Sequence, residues 1–200
     1  MTNSYMTELG MFIAKVLRHD PSSAYVTMDE HGWVNVNSLI EGVIKAGYKQ
    51  FDFNILATIV STDNKQRYAF NEDCTMIRAN QGHTIQVDVE LYKLTEEDVN
   101  KTPVLYHGTT SRNVKSINEK GLLRMSRNYV QLSTNIKTAS EVGNRHNRKL
   151  PGHLVIYIID IKQLYKDGYD IYRSANGVYL IYHVPPKYFK GTITNKGEHS

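Results

Sequence analysis

"VELYKLTEEDVNKTP", residues 89–103, separates two stretches of chain that differ in kind. It is charged and ends on a proline, the composition expected where one domain gives way to the next. Before it, residues 1–90 hold 7 Lys and Arg against 11 Asp and Glu, a net of −4. After it the balance reverses, and residues 91–200 hold 17 against 9, a net of +8. The formal +4 of the 200-residue chain hides this asymmetry. The expected organisation is a lobe over 1–90, a linker over 91–103 and a second lobe over 104–200.

Reading back from the boundary, the first lobe opens on Leu9, Phe12, Ile13, Val16 and Leu17, spaced as one face of a helix. Arg18 and His19 fall in its last turn, where cations complement the helix dipole, and Pro21 stops it. Around Gly32, "VTMDEHGWVNV" reads as a turn with short extended pieces and Trp33 as a core anchor. A second helix follows on Leu39, Ile40, Val43 and Ile44. A third helix precedes two strands, "RYAF" and "TMIR", on either side of the "NEDC" turn. Helices closed by a two-stranded wing suggest a small winged-helix-like unit. Nucleic-acid binding is driven largely by Lys and Arg at phosphates. A net-acidic lobe is therefore a weak gripper by itself, and its few cations, among them Arg18, Lys65, Arg67 and Arg78, stand out.

Beyond the boundary, "GHLVIYIIDI" is a β-branched strand expected at the centre of a sheet. Around it, short strands and helices alternate, so the second lobe is expected to be α+β and strand-dominated. Its polar pieces lie at strand ends. "YHGT" sets His107 beside Gly108, which would let a ligand approach the backbone, and Thr109. "RMSRNYVQLS" carries Arg124 and Arg127, and "YRSANGVYL" carries Arg173, Ser174 and Asn176; each also reads as an ordinary turn. No dinucleotide or phosphate-loop glycine pattern is present. No metal is expected, since His146 and His153 lack carboxylate or cysteine neighbours. Cys74 is the only cysteine, which together with the lack of a signal or membrane-spanning stretch gives a cytoplasmic expectation and no membrane partner. The tail 191–200, "GTITNKGEHS", is polar and expected to fray.

Taken in order, "LRH", "DEHGWV", "KQRYAF", "IRANQGH", "LYHGT", "SRNYVQLS", "YRSANGVYL" and "HVPPKY" resemble the NAD-dependent RNA 2′-phosphotransferase family across roughly residues 8–190. The resemblance implies an α+β fold in which a winged-helix-like lobe precedes an ADP-ribosyltransferase-like mixed β lobe. It implies a phosphate-engaging tetrad of Arg18, His19, Arg67 and Arg127, with RNA phosphate held in the cleft between domains. Guanidinium forks match phosphate oxygens, and histidine exchanges a proton near neutral pH. NAD, as co-substrate, would meet His107, Gly108, Thr109, Gln131, Ser133, Ser174, Asn176, Gly177 and Val178. Lys65, Asn80, Gln81 and His83 would serve RNA binding or the lobe junction. Where the family strand usually reads His-Val-His-Leu-Ser, this chain has Tyr129-Val130-Gln131-Leu132-Ser133, and Gln131 cannot titrate.

The implied reaction removes a splice-junction 2′-phosphate from a tRNA-like RNA in two steps. Phosphate attack at C1″ of the nicotinamide ribose gives an RNA 2′-phospho-ADP-ribose intermediate. Attack by O2″ then frees a 2′-hydroxyl RNA and ADP-ribose 1″,2″-cyclic phosphate. A monomeric enzyme is expected. Two alternatives stay open: an ADP-ribosyltransferase acting on nucleic-acid terminal phosphates or protein, and a non-catalytic winged-helix nucleic-acid-binding module.

Overall fold

A computed structural model describes residues 3–147 and 152–194. The chain is α+β and divides into two compact units, unit 1 being Met1–Glu90 with Ser126–Asn128, and unit 2 being Leu91–Met125 with Tyr129–Ser200. Arg127, expected within the 104–200 lobe, thus groups with unit 1.

Unit 1 begins with α1 (Asn3–Arg18). Its expected face is in the core: Leu9, Ile13, Val16 and Leu17 are wholly buried, each contributing about 1.5–3 kcal/mol before the entropy of ordering it. The helix ends where the amides of His19 and Asp20 both donate to the Lys15 carbonyl, at 2.8 and 2.9 Å. Strand β1 (Val34–Asn35) runs directly into α2 (Val36–Lys45), and the Asn35 side chain accepts from the Ser38 amide at 3.0 Å. In the same way Asp52 caps α3 (Phe53–Thr62) by accepting from the Ile55 amide at 2.8 Å. Strands β2 (Tyr68–Phe70) and β3 (Met76–Ala79) complete an antiparallel sheet in the order β1-β3-β2. Trp33 is only half-buried, and the Arg78 guanidinium lies 4.4 Å from its ring centroid. The expected core anchor is instead a cation–π platform.

Unit 2 starts inside the stretch expected as a linker. Strand β4 (Tyr92–Lys93) and helix α4 (Glu96–Lys101) occupy it, and Thr95 and Asp98 form a reciprocal capping box. Leu94 and Val99 belong to the hydrophobic core of this unit, so the stretch is packed structure. There follow β5 (Val104–Thr110), α5 (Val114–Lys120), β6 (Leu122–Leu123), β7 (Val130–Leu132) and α6 (Ile136–Asn147). The chain continues through β8 (Leu154–Asp160), α7 (Ile161–Lys166), β9 (Ile171–Arg173), β10 (Tyr179–Ile181), β11 (His183–Val184) and β12 (Phe189–Thr194).

Three sheets result, in the orders β4-β9-β10-β7, β12-β8-β5 and β11-β6. As its composition suggested, β8 is central, between β12 and β5. A single antiparallel bridge, Tyr106 to Ser133, ties β5 to the end of β7. The start of the tail does not fray, because β12 stays paired with β8 as far as Thr194 opposite Val155. Residues 195–200 lie outside the described residues, as does the side chain of His146. No helix among the described residues is long and apolar enough to cross a membrane.

Candidate functional site

In unit 1, three separate pieces of chain deliver the cationic residues. Arg18 closes α1 and His19 follows it. The segment just after β3 fixes both: the Thr84 amide donates to the Arg18 carbonyl at 3.0 Å, and the Thr84 hydroxyl lies 3.0 Å from His19 Nδ1. Arg67 precedes β2 and is gripped by Asp63, the residue that ends α3. That carboxylate accepts from the Arg67 amide at 2.6 Å and the Lys65 amide at 3.3 Å, and it pairs with Arg67 Nη1. Asn80 secures the same turn from β3, its amide donating to the Arg67 carbonyl at 2.8 Å and its side chain to the Gln66 carbonyl at 2.7 Å.

Arg127 arrives on the Ser126–Asn128 segment. The Asn128 amide donates to the His83 carbonyl at 3.1 Å and its side chain to the Ile85 carbonyl at 3.0 Å. Residues 83–85 thus hold the end of α1 and the Arg127 segment together.

The electrostatics show that these groups sense one another. Burial pulls Arg18 down to about 10, helped by Arg67 and Arg127, while Tyr68 and Asp63 act the other way. Arg18 is still a cation at neutral pH. Burial, with Arg127 and Arg18 close by, also lowers His19 below the usual imidazole range, so at neutral pH its ring is uncharged. His83 is only 2% exposed. Burial foremost, with Arg18, His19 and Arg78, brings it to about 4. Arg18 Nε and Nη2, His83 Nε2 and Asn80 Oδ1 are buried without a hydrogen-bond partner.

Buried polar atoms are rarely left so, and a guanidinium with idle donors beside two more arginines is suited to an anion. Asp63 offsets one of the three arginines and leaves the cluster net positive; a phosphate dianion, with its oxygens for the forks, suits that balance.

Of the residues expected here, Arg18, His19, Arg67, Arg127, Asn80 and His83 come together. Lys65 is exposed on the Asp63 turn and Gln81 is half-buried beside Asn80. Asp63, Thr84 and Asn128, which position the cluster, were missed. The Asp63 turn was the one with a readable signal, an acid at a helix end two residues before a lysine and four before an arginine.

In unit 2, register gathers the other set. His107 Nδ1 lies 3.1 Å from the Gln131 carbonyl oxygen. A carbonyl only accepts, so Nδ1 carries the proton in this contact. Tyr106 and Ser133 exchange backbone bonds at 2.8 and 2.9 Å, and Tyr179 pairs with Leu132. The same strand end therefore receives the hairpin turn that begins at Ser174. That turn is built by Ser174, whose hydroxyl donates to Asn176 Oδ1 at 2.7 Å and accepts from the Val178 amide at 3.2 Å. Gly177, at φ +76°, takes the left-handed position a three-residue hairpin loop needs. Thr109 Oγ1 accepts from Asn113 at 3.1 Å, and Thr110 Oγ1 is buried without a partner.

Gly108 serves another purpose than the one expected. A Cβ there would stand 1.7 Å from the Ala139 carbonyl oxygen and 3.1 Å from the Gly143 amide. The missing side chain lets α6 pack on β5.

Among the described residues no group of His, Cys, Asp or Glu could hold a metal ion. An α+β chain whose first unit groups three arginines and a histidine has the make-up of a phosphate-handling protein. Comparison with known families makes this specific: residues 4–183 match the RNA 2′-phosphotransferase, Tpt1 / KptA family, and the chain belongs to it. It is similar to the "Probable RNA 2′-phosphotransferase" of Fusobacterium nucleatum, 43% identical over 183 residues that cover 92% of this chain and 97% of that protein. Proteins of the same description from Trichormus variabilis and Flavobacterium johnsoniae are 40% and 38% identical over 190 residues each. These alignments cover 94% and 95% of this chain and 97% and 98% of those proteins. Membership makes the chain a transferase with RNA as substrate.

Proposed function

We propose that the chain removes an internal 2′-phosphate from RNA, such as one left at a tRNA splice junction, by passing it to NAD. The products would be 2′-hydroxyl RNA, nicotinamide and ADP-ribose 1″,2″-cyclic phosphate. The observation that carries this reading is the pair of unpartnered, buried donors on Arg18, set among Arg67, Arg127 and His19. Unit 1, three helices closed by a small antiparallel sheet, supports a winged-helix-like description; the sheets of unit 2, whose pairings are antiparallel rather than the mixed set expected, leave the ADP-ribosyltransferase-like description to the family resemblance.

Arg18, Arg67 and Arg127 bind the transferred phosphate, Arg67 being pre-aimed by Asp63. In the first step the phosphate forms a bond to C1″ of the nicotinamide ribose as the bond to nicotinamide breaks. Nicotinamide departs neutral, so this chain's task is positioning. In the second, O2″ forms a bond to phosphorus and the RNA 2′-oxygen leaves, taking a proton. Negative charge then gathers on the phosphate oxygens, where three guanidiniums stabilise it. His19, with Nδ1 at Thr84, would hold or move a proton at Nε2.

For NAD, the donor and acceptor set of unit 2 fits a ribose and its phosphates. It offers the His107 imidazole, the Ser133 strand end, the buried Thr110 hydroxyl and the Ser174–Val178 turn. NAD supplies the electrophilic ribose carbon and the leaving group.

The test is to follow the mass of a short RNA bearing one internal 2′-phosphate, incubated with the protein and NAD. Conversion to 2′-hydroxyl RNA with release of the cyclic phosphate is expected. RNA stalled at the ADP-ribosylated mass would instead make this a one-step ADP-ribosyltransferase, a reading that Gln131 favours because it cannot move a proton. No change in RNA mass would overturn both.

A further inference from the structure

We propose that Tyr129 and Tyr172, both in unit 2, form the seat for one of the two flat rings of NAD, the adenine or the nicotinamide. The proposal rests on the phosphotransferase reading, and it adds a ring contact to the sugar and phosphate contacts already assigned to this unit.

The register of the β4-β9-β10-β7 sheet sets the geometry. Gln131 pairs with Leu180, Leu180 with Tyr172, and Tyr172 with Lys93 on the edge strand β4. These four form one row across the sheet, with their side chains on one face. Their neighbours in sequence point the other way: Val130, Leu132, Ile171, Tyr179 and Ile181 all lie in the core of unit 2. Tyr129 precedes Val130 and so shares the face of Gln131. Ser133 and Ser174, one step past the paired residues, continue that face at its other end.

Tyr129 rises from the start of β7 and Tyr172 from β9, yet their ring centroids lie 5.8 Å apart, edge to face at 60°. The rings lean towards each other across β10. Leu180, which β10 presents on this face in the Tyr172 row, is 2% exposed and gives the pair an apolar base. Both tyrosines are half-buried, so each keeps surface for a ligand. Tyr172 is also held from its far end, where its hydroxyl donates to Asp170 Oδ2 at 3.4 Å and Lys93 Nζ pairs with Asp170 Oδ1 at 2.6 Å. An aromatic fixed in this way loses little freedom when another ring stacks on it.

A face with an aromatic pair at one end and sugar and phosphate contacts at the other has the order of a nucleotide. Two residues along a strand advance about 6.6 Å, so ring and sugar fall on successive rows. Gln131 shares the row of Tyr172, and its amide both donates and accepts. That suits the amino edge of adenine or the carboxamide of nicotinamide.

The experiment is isothermal titration of the full chain with NAD, ADP-ribose and nicotinamide mononucleotide. ADP-ribose keeps the adenine and lacks the nicotinamide; the mononucleotide does the reverse. Tyr172→Leu should raise Kd for NAD about tenfold, the scale of one ring stack. Tyr172→Phe keeps the ring and should stay within about twofold of the parent. A matching loss with ADP-ribose assigns the pair to adenine, and a matching loss with the mononucleotide assigns it to nicotinamide. Where Tyr172→Leu does not fold, Tyr129→Leu takes its place.

Equal NAD affinity in the parent and a folded leucine variant would overturn the seat and leave the phosphotransferase reading standing. So would an equal loss with both fragments, or a loss in Tyr172→Phe as large as in Tyr172→Leu, which would give the effect to the hydroxyl. A parent that binds no NAD would overturn the seat and the reading together.

Discussion

The side-chain amide of Asn128 donates to the backbone carbonyl of Ile85 across 3.0 Å, although 43 positions separate the two residues. With the Asn128 amide on His83, it fastens the segment that carries Arg127 to the segment that fixes Arg18 and His19. Asn128→Leu keeps the volume and removes this donor, leaving the Ile85 carbonyl unpaired. We expect a folded protein whose KM for 2′-phosphorylated RNA rises about five- to tenfold, the scale of one hydrogen bond. KM for NAD should not change, and steady-state kinetics with each substrate varied in turn checks both.

Asp63 presents a different balance. Its carboxylate aims Arg67 and also offsets part of the cluster's charge. Asp63→Asn keeps the shape, releases the arginine and leaves the site more positive. Turnover should fall at least about tenfold, since aim matters more than charge once the phosphate is bound. Inhibition by inorganic phosphate should grow no weaker. Measuring kcat beside the phosphate inhibition constant separates the two effects.

At Arg18 the fork itself is at issue. A lysine would supply charge without paired planar donors, so Arg18→Lys should behave like Arg18→Ala in the mass-resolved assay. A fully active lysine variant would show that bulk charge suffices.

His83 gives the fold a pH dependence with a definite sign. Its folded value of about 4 lies below the ordinary 6.5 of imidazole. Between those values the unfolded chain binds a proton that the folded one refuses, so stability is lost as pH falls from 6.5 towards 4. The loss from this one group is about 3 kcal/mol at most. Thermal melts from pH 7.5 to 4.5 should show a steeper decline for the parent than for His83→Gln.

Gly108→Ala tests the packing of α6 on β5. A methyl group at 1.7 Å from a backbone oxygen cannot be absorbed by a side-chain rotation. The strand or the helix must move, with a loss of about 3 kcal/mol or more. A fall in melting temperature together with weaker NAD binding is the expected result; an unchanged melting temperature would refute the close approach.

Much of the chain was legible because its signals are local. The face of α1, the helices α2 and α3, the strands on either side of the Asn71–Cys74 turn and the centrality of β8 follow from spacing and composition, although Ile44, expected on the buried face of α2, is exposed. Helix α4 escaped because six residues with one buried position, Val99, make no periodic pattern. Its capping box, Thr95 and Asp98, was in plain view. The partners of Gly108 could not be read at all, since Ala139 and Gly143 lie more than thirty positions away. At the candidate site the charged members came from ordered motifs. The neutral residues that aim them, Thr84 and Asn128, act through backbone carbonyls and a hydroxyl and leave no trace in the pattern of charge.

The chain leaves unit 1 after Glu90, returns for Ser126–Asn128 and leaves again. During synthesis, the first ninety residues therefore emerge with Arg18, His19 and Arg67 but without the arginine that completes the cluster. Unit 1 is complete only after translation has passed residue 128, just before β7. A fragment cut after Glu90 would carry three of the four residues of the proposed phosphate cluster, and the two units cannot be exchanged between relatives as separable cassettes without splitting unit 1.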